Sequence, residues 1–324
     1  MSDTPFAQDS RPLVWLPFDP AELDTADDGS GHPSGAPDTL RYVAHDPLED
    51  GPPGAWADDV RFYVPSYSFG LDHRALLAAL PRVEVVQTLT AGVDHIRPLL
   101  PAGVTLCNGR GIHNASTAEL AMTLVLASLR DVPGFVDAQH EQRWAQGWRP
   151  SLADSTVLII GYGDIGADLE RRLVPFEVEV LRVARTARTG VHTLADLPAL
   201  LPRADVVVLV VPGTAETKGL VDADFLAAMR PGALLVNVAR GPVVVTDDLL
   251  EALHAGRVRA ALDVTDPEPL PPGHPLWDAP GVLITPHVGG ATPAMWPRAH
   301  TLVREQLHRW AASRPLANVM TGDY

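Results

Sequence analysis

Gly161, Gly163 and Gly166 in "TVLIIGYGDIGADLERRL" stand directly after an apolar run and at the mouth of a helical pattern. In a G-x-G-x-x-G turn so placed, the first glycine permits a tight turn and the second lets a pyrophosphate approach the backbone. The third lets helix pack on strand. Amides near Asp164 and Ile165 then face the phosphates at the positive end of the helix dipole. The alternative is a tight turn without a ligand. Nineteen residues past Gly166, where a chain selecting NAD places an acid for the ribose hydroxyls, stands Arg185. An acid there repels a 2′-phosphate, whereas Arg185 and Arg188, aided by the hydroxyls of Thr186 and Thr189, can hold one by charge-assisted hydrogen bonds. A charged hydrogen bond contributes about 1.5–3 kcal/mol, and 1.4 kcal/mol is about tenfold. The expectation is therefore an NADP(H) preference of about ten- to hundredfold, with two exposed surface arginines as the alternative.

These residues need a sheet behind them. Apolar runs at 156–161, 178–184, 205–211, 233–239, 259–264 and 282–287, separated by helical spacers, describe a doubly wound nucleotide-binding domain. Five earlier runs, at 12–18, 40–45, 60–66, 83–90 and 104–109, alternate with helices such as 71–80 and predict a smaller parallel-sheet α/β domain. Between the two sets, the segment from Ser116 carries Glu119 three residues on, a capping-box pattern. It reads as a long helix that Pro133 and Gly134 kink or split. The stretches 29–37 and 266–280 read as loops, and a last helix spans roughly 293–312, placed to pack back on the first domain. On it His300, Arg304 and His308 share i, i+4 spacing, read as a solvated or interface face and not a metal site.

The bulk numbers agree with two domains, since 324 residues at 46% hydrophobic exceed what one core usually holds. Net charge is 25 minus 40, or −15, with no basic cluster to track a phosphodiester backbone, which argues against nucleic acid. One cysteine, Cys107, excludes an internal disulfide, and no Cys/His grouping has metal-ligand spacing. The N-terminus lacks a signal-peptide pattern and no apolar run is long enough to span a bilayer, so a cytoplasmic protein is expected.

Three stretches, "NVARGPVV" (237–244), "LDVTDPEPLPPGHPLW" (262–277) and "TPHVGGAT" (285–292), lie at strand ends, where open α/β sheets bind ligands. With the glycine turn and "AGVDHI" (91–96), they make the sequence resemble the D-isomer-specific 2-hydroxyacid dehydrogenases. The resemblance implies a flavodoxin-like substrate domain, 1–109 plus 293–324, and a Rossmann cofactor domain, 110–292, with an interdomain cleft. It implies a catalytic trio of Arg240, Glu268 and His287. In that chemistry His287 delivers a proton to the developing alkoxide, worth about 10²–10⁴-fold. Glu268 pairs with His287 and fixes its tautomer, and Arg240 holds the substrate carboxylate and polarises the carbonyl. Taken singly, each has a structural alternative: a strand-end cap for Arg240, a buried satisfied histidine, a solvated glutamate.

The resemblance further implies cofactor contacts from Pro212, Thr217, Val238, Ala239, Asp263 and Gly289, with Asp263 on the nicotinamide carboxamide side and a helix or loop cap as its alternative. It implies a carboxylate nest of amides at Ala91, Gly92 and Val93, with Tyr67 and Phe69 lining the pocket and setting substrate size, simple packing being their alternative. Met295 and Trp296 are further pocket candidates, with core packing the competing role. A homodimer packed through the long helix is implied as well. Glyoxylate or hydroxypyruvate reduction is the first expectation. The alternatives are a nucleotide-sensing corepressor-like binding protein and a phosphoglycerate dehydrogenase, of which a chain stopping at Tyr324 allows only a short form. Formate dehydrogenases carry Gln where Glu268 stands, which disfavours formate.

Overall fold

The computed structural model describes residues 9–24, 34–68 and 70–321. Phe69, residues 29–33 of the 29–37 tract and the first eight residues of the N-terminus lie outside them. In chain order the elements are β1 (Leu13–Leu16), β2 (Arg41–Ala44), β3 (Val60–Tyr63), α1 (His73–Ala78), β4 (Val85–Gln87), β5 (Thr105–Cys107), α2 (Asn114–Leu129) and α3 (Val132–His140). There follow β6 (Thr156–Ile160), α4 (Asp164–Leu173), β7 (Glu179–Val183), α5 (Leu197–Leu200), β8 (Val206–Leu209), α6 (Ala223–Ala228), β9 (Leu234–Asn237), α7 (Thr246–His254), β10 (Arg259–Leu262), β11 (Val282–Ile284) and α8 (Met295–Ala311). The chain forms two compact units, Met1–Ile112 with Pro293–Tyr324, and His113–Thr292.

In the first unit five parallel strands run in the order β2-β1-β3-β4-β5, the flavodoxin-like order. Side chains alternate across the sheet, so β1 sends Val14 and Leu16 to one apolar cluster and Leu13 and Trp15 to the other. Both sets are buried, which is why the strand reads as an unbroken apolar run. Leu76 and Leu77 of α1 cover one face. Met295, Ala299, Val303 and Leu307 of α8, at helical i, i+4 spacing, cover the other.

The charged stripe of α8 corrects the expectation of a solvated face. Arg304 is buried and donates through Nη1 to the Leu23 carbonyl at 3.1 Å. His308 Nε2 lies 3.0 Å from the Gly35 carbonyl, and His300 packs tilted against Phe18 at 4.6 Å between ring centroids. A helix that crosses a sheet face turns more than one stripe inward, and the carbonyls of Leu23 and Gly35 give Arg304 and His308 their partners.

The second unit holds six parallel strands, β11-β10-β9-β8-β6-β7. Beyond β7, where a doubly wound sheet continues outward, the neighbour is a single parallel bridge between Val183 and His192. Leu158 and Ile160 of β6 face one cluster; Val157 and Ile159 face the other, closed by Ala118, Ala121 and Val125 of α2 and Leu169 and Leu173 of α4.

The long helical segment starts two residues earlier than its sequence pattern suggests, at Asn114, with His113 as the preceding residue and no side-chain cap. Ser116 is therefore inside the first turn, its hydroxyl turned back to the His113 carbonyl at 3.4 Å, and the capping box is corrected to an ordinary helix interior. The split is present: α2 ends at Leu129, Asp131 takes a left-handed φ of 55°, and Pro133 sits in the first turn of α3. Among the described residues no helix is long and apolar enough to cross a membrane, and no group of three or more His, Cys, Asp or Glu is placed to hold a metal ion.

Candidate active site

The turn after β6 is shaped by what its neighbours leave open. Gly161 has φ 108°, and a Cβ there would stand 2.5 Å from the Val210 carbonyl oxygen, so the end of β8 demands glycine. A Cβ on Gly166 would meet the Gly161 oxygen at 2.7 Å, which lets α4 close on the turn. Around Gly163 nothing lies within 4 Å of the same position. Its conformation imposes no glycine, and the open space is what an approaching pyrophosphate needs. Gly163 caps α4 without a side chain, and the amides of the first turn, from Asp164 and Ile165 on, stand at the positive end of the helix dipole. The turn fits a dinucleotide on these three surroundings.

The turn is tied to the end of β7, because the amides of Gly161 and Tyr162 both donate to the Val183 carbonyl at 2.9 Å. Two residues past that carbonyl Arg185 and Thr186 are exposed, and Arg188 donates through Nη2 to the Tyr162 carbonyl at 2.6 Å. After β8, the Thr217 hydroxyl donates to the Pro212 carbonyl at 2.6 Å and staples that loop.

At the end of β9, buried Asn237 accepts from the Ala239 amide and donates to the Arg240 carbonyl, both at 3.0 Å. That fixes the Val238–Ala239–Arg240 turn. The stem of Arg240 runs along Gly213, whose Cβ would lie 3.1 Å from Arg240 Cγ, and its Nη1 donates to the Ala239 carbonyl at 2.7 Å. Gly241 has no room for any side chain, since a Cβ would fall 1.9 Å from the Thr265 oxygen.

His287 and Glu268, 19 residues apart, meet at 2.5 Å between Nδ1 and Oε1. A carboxylate only accepts, so Nδ1 carries the proton toward Glu268. His287 holds φ 53°, a conformation that non-glycine residues seldom adopt. Asp263, at the end of β10 and 3% exposed, organises the loop that imposes it. Its Oδ1 accepts from the Thr285 hydroxyl at 2.6 Å and the Val288 amide at 2.9 Å, and its Oδ2 from the Gly289 amide at 2.9 Å. The Asp263 carbonyl takes the His287 amide at 2.8 Å. From below, α2 clamps the same loop, with Thr117 Oγ1 3.4 Å from the Gly289 carbonyl and His113 Nδ1 3.2 Å from that of Gly290. Sequence reasoning missed Asn237, Gly213, Thr285 and Tyr162. Asn237 and Thr285 lay within the quoted strand-end stretches, but no chemistry marked them.

In the first unit, the 90–92 carbonyls are held by the protein itself: Asn108 Nδ2 donates to Ala91 at 2.8 Å, the Thr90 hydroxyl to Gly92 at 2.7 Å, and the Gly109 amide to Thr90 at 2.7 Å. Val93 is fully buried, and Tyr67 packs at the rim of the α8-covered cluster. Met295 is core, while Trp296 is 40% exposed and packs edge-on against Phe18.

A family model described as D-isomer specific 2-hydroxyacid dehydrogenase, NAD binding domain, matches residues 122–289. The chain belongs to the D-isomer specific 2-hydroxyacid dehydrogenase family. It is 36% identical over 237 residues to the glyoxylate reductase/hydroxypyruvate reductase of Homo sapiens, covering 68% of this chain and 72% of that protein. A solved D-isomer specific 2-hydroxyacid dehydrogenase from Xanthobacter autotrophicus Py2, in complex with NADPH and MES, superposes with a TM-score of 0.77 at 30% identity, over 97% of this chain and 98% of that one. The NADPH-dependent glyoxylate/hydroxypyruvate reductase of Sinorhizobium meliloti, in complex with NADP and sulfate, gives 0.76 at 29% identity, over 95% and 97%. As a member of the D-isomer specific 2-hydroxyacid dehydrogenases, the protein is an NAD(P)-dependent oxidoreductase of 2-hydroxy and 2-keto acids. The nicotinamide cofactor, when bound, supplies the hydride; the protein's own groups bind, orient and move the proton.

Proposed function

We propose that the protein is an NADP(H)-preferring 2-keto acid reductase, with glyoxylate and hydroxypyruvate as its first substrates. Reduction adds a hydride to C2 of the keto acid and a proton to its oxygen, and His287 delivers that proton from Nε2. Glu268 then faces an imidazole that has lost its proton and is ready to take another. Arg240 holds the carboxylate and carbonyl of the substrate. Tyr67 and the amides of Ala91, Gly92 and Val93 serve the substrate's carboxylate and size. Asp164 and Ile165 receive the pyrophosphate, Pro212, Thr217, Val238, Ala239 and Gly289 line the nicotinamide half, and Asp263 serves its carboxamide. The enzyme works as a cytoplasmic homodimer joined through α2 and α3, where Val132, Phe135 and Val136 are exposed.

The observation that carries the reading is the 2.5 Å His287–Glu268 pair on the unit that also bears the glycine turn and the two arginines. NADPH consumption against small, branched and aromatic 2-keto acids tests the activity, and dissociation constants for NADPH and NADH test the preference. Equal constants, unmoved by Arg185→Ala, would remove the NADP claim; intact cofactor binding with no turnover on any acid would favour a binding role.

A further inference from the structure

Tyr162, the residue between the first two glycines, is bound into a cluster that the glycine turn itself does not require. Its hydroxyl donates to Glu170 of α4. Glu170 also takes Arg182 of β7 in a two-point ion pair, Nε to Oε2 at 2.9 Å and Nη2 to Oε1. The Arg182 pairing and the Tyr162 hydroxyl hold the Glu170 carboxyl below the usual range, so it stays ionised. Two guanidinium carbons lie over the Tyr162 ring, Arg182 at 5.8 Å and Arg188 at 5.5 Å, both within cation–π reach. Arg188 is fixed a second time by its bond to the Tyr162 carbonyl.

Charge within this cluster sums to +1, from two arginines and one glutamate. Glu170 neutralises Arg182, so the surplus belongs to Arg188 at the exposed end of β7. An arginine on a surface loop loses much rotamer freedom when it grips an anion. Arg188 has that freedom restricted beforehand by the ring and the carbonyl.

We infer that Tyr162 is a positioning residue for cofactor selection: its ring, pinned by Glu170, holds the Arg188 guanidinium ready for the 2′-phosphate of NADP(H). The inference rests on the cofactor reading above and adds a residue in the glycine turn to it. Tyr162 discriminates between the two nucleotides only through Arg188, and NADH, which lacks the phosphate, is indifferent to it.

Fluorescence titration of NADPH and NADH with wild type, Tyr162→Leu, Arg188→Ala and the double variant tests this. Tyr162→Leu weakens NADPH about two- to fivefold, the loss of one exposed cation–π contact, and moves NADH less than twofold. Tyr162→Phe keeps the ring but loses its bond to Glu170, and retains more of the preference than Tyr162→Leu. In the Arg188→Ala background Tyr162→Leu has no further effect on NADPH. Equal weakening of both nucleotides, or an undiminished effect without Arg188, would overturn the inference. A wild type with no NADPH preference removes the cofactor reading and this device together, whereas a preference lost in Arg188→Ala but intact in Tyr162→Leu removes only the device. Should the leucine variant not fold, Tyr162→Gln removes the aromatic face while keeping a polar tip for Glu170, and the same outcomes apply.

Discussion

The His287 imidazole depends on a residue that never touches it with its side chain. A left-handed φ on a non-glycine residue costs about 1–3 kcal/mol, and the Asp263 carboxylate offsets this by accepting three hydrogen bonds from the 285–289 loop. His287→Gln is expected to lower kcat by about 10²–10⁴-fold while the NADPH dissociation constant stays near wild type. Wild-type turnover in that variant would take His287 out of the reaction. Asp263→Asn places an NH2 where an amide or hydroxyl donor needs an acceptor, leaving a buried group unsatisfied at about 1–3 kcal/mol. We expect a fall in kcat of at least tenfold with a smaller change in KM, together with a loss of stability to urea; kcat equal to wild type would show that the loop keeps its shape without the carboxylate. The sequence offered Asp263 as a cofactor contact or a helix or loop cap; that the loop it caps is the one bearing His287 was not visible. Contacts across 22 to 26 residues depend on how β10 and β11 align, which no local pattern encodes.

Glycine-turn geometry separates two roles that a motif writes identically. Gly161 is required by the backbone at the end of β8, whereas Gly163 has open space where its side chain would be. Gly161→Ala should therefore destabilise the fold by about 1–3 kcal/mol through overpacking, on top of the strain of its φ of 108°. Gly163→Ala should leave the melting temperature within error and weaken both NADPH and NADH at least tenfold, measured by titration. An alanine at 163 with unchanged cofactor affinity would move the pyrophosphate elsewhere. Strands were the most legible elements, because parallel strands buried on both faces leave unbroken apolar runs. The start of α2 was not: Ser116 and Glu119 have the right types and spacing, but the helix begins at Asn114, directly after His113, whose ring reaches the Gly290 carbonyl. The residue-192 bridge was also invisible, one residue being too short to leave a period.

At the scale of the molecule, pH reaches the fold through two histidines of the first unit. Burial lowers the pKa of His73, reinforced by His95 at 5.1 Å between ring centroids, and its Nδ1 is enclosed without a hydrogen-bond partner. Burial likewise lowers that of His300, with Arg304 adding to the effect and Glu22, 3.8 Å from Nε2, opposing it. Both groups start from 6.5 in the unfolded chain. Below that value the unfolded chain takes up protons that the folded chain resists, so the unfolded state binds more of them and stability falls as pH falls. Above 6.5 both states carry neutral rings and these two positions contribute no slope. The melting temperature is therefore expected to hold from pH 8 to about 7 and to decline below about 6.5, well before carboxylates titrate near pH 4. His300→Gln and His73→Gln should each flatten that decline, since neither side chain can take up a proton. A melting temperature that stays level between pH 7 and 5 in wild type, or a decline of equal slope in both variants, would mean that these rings are solvated enough in the folded chain to protonate as they do in the unfolded one.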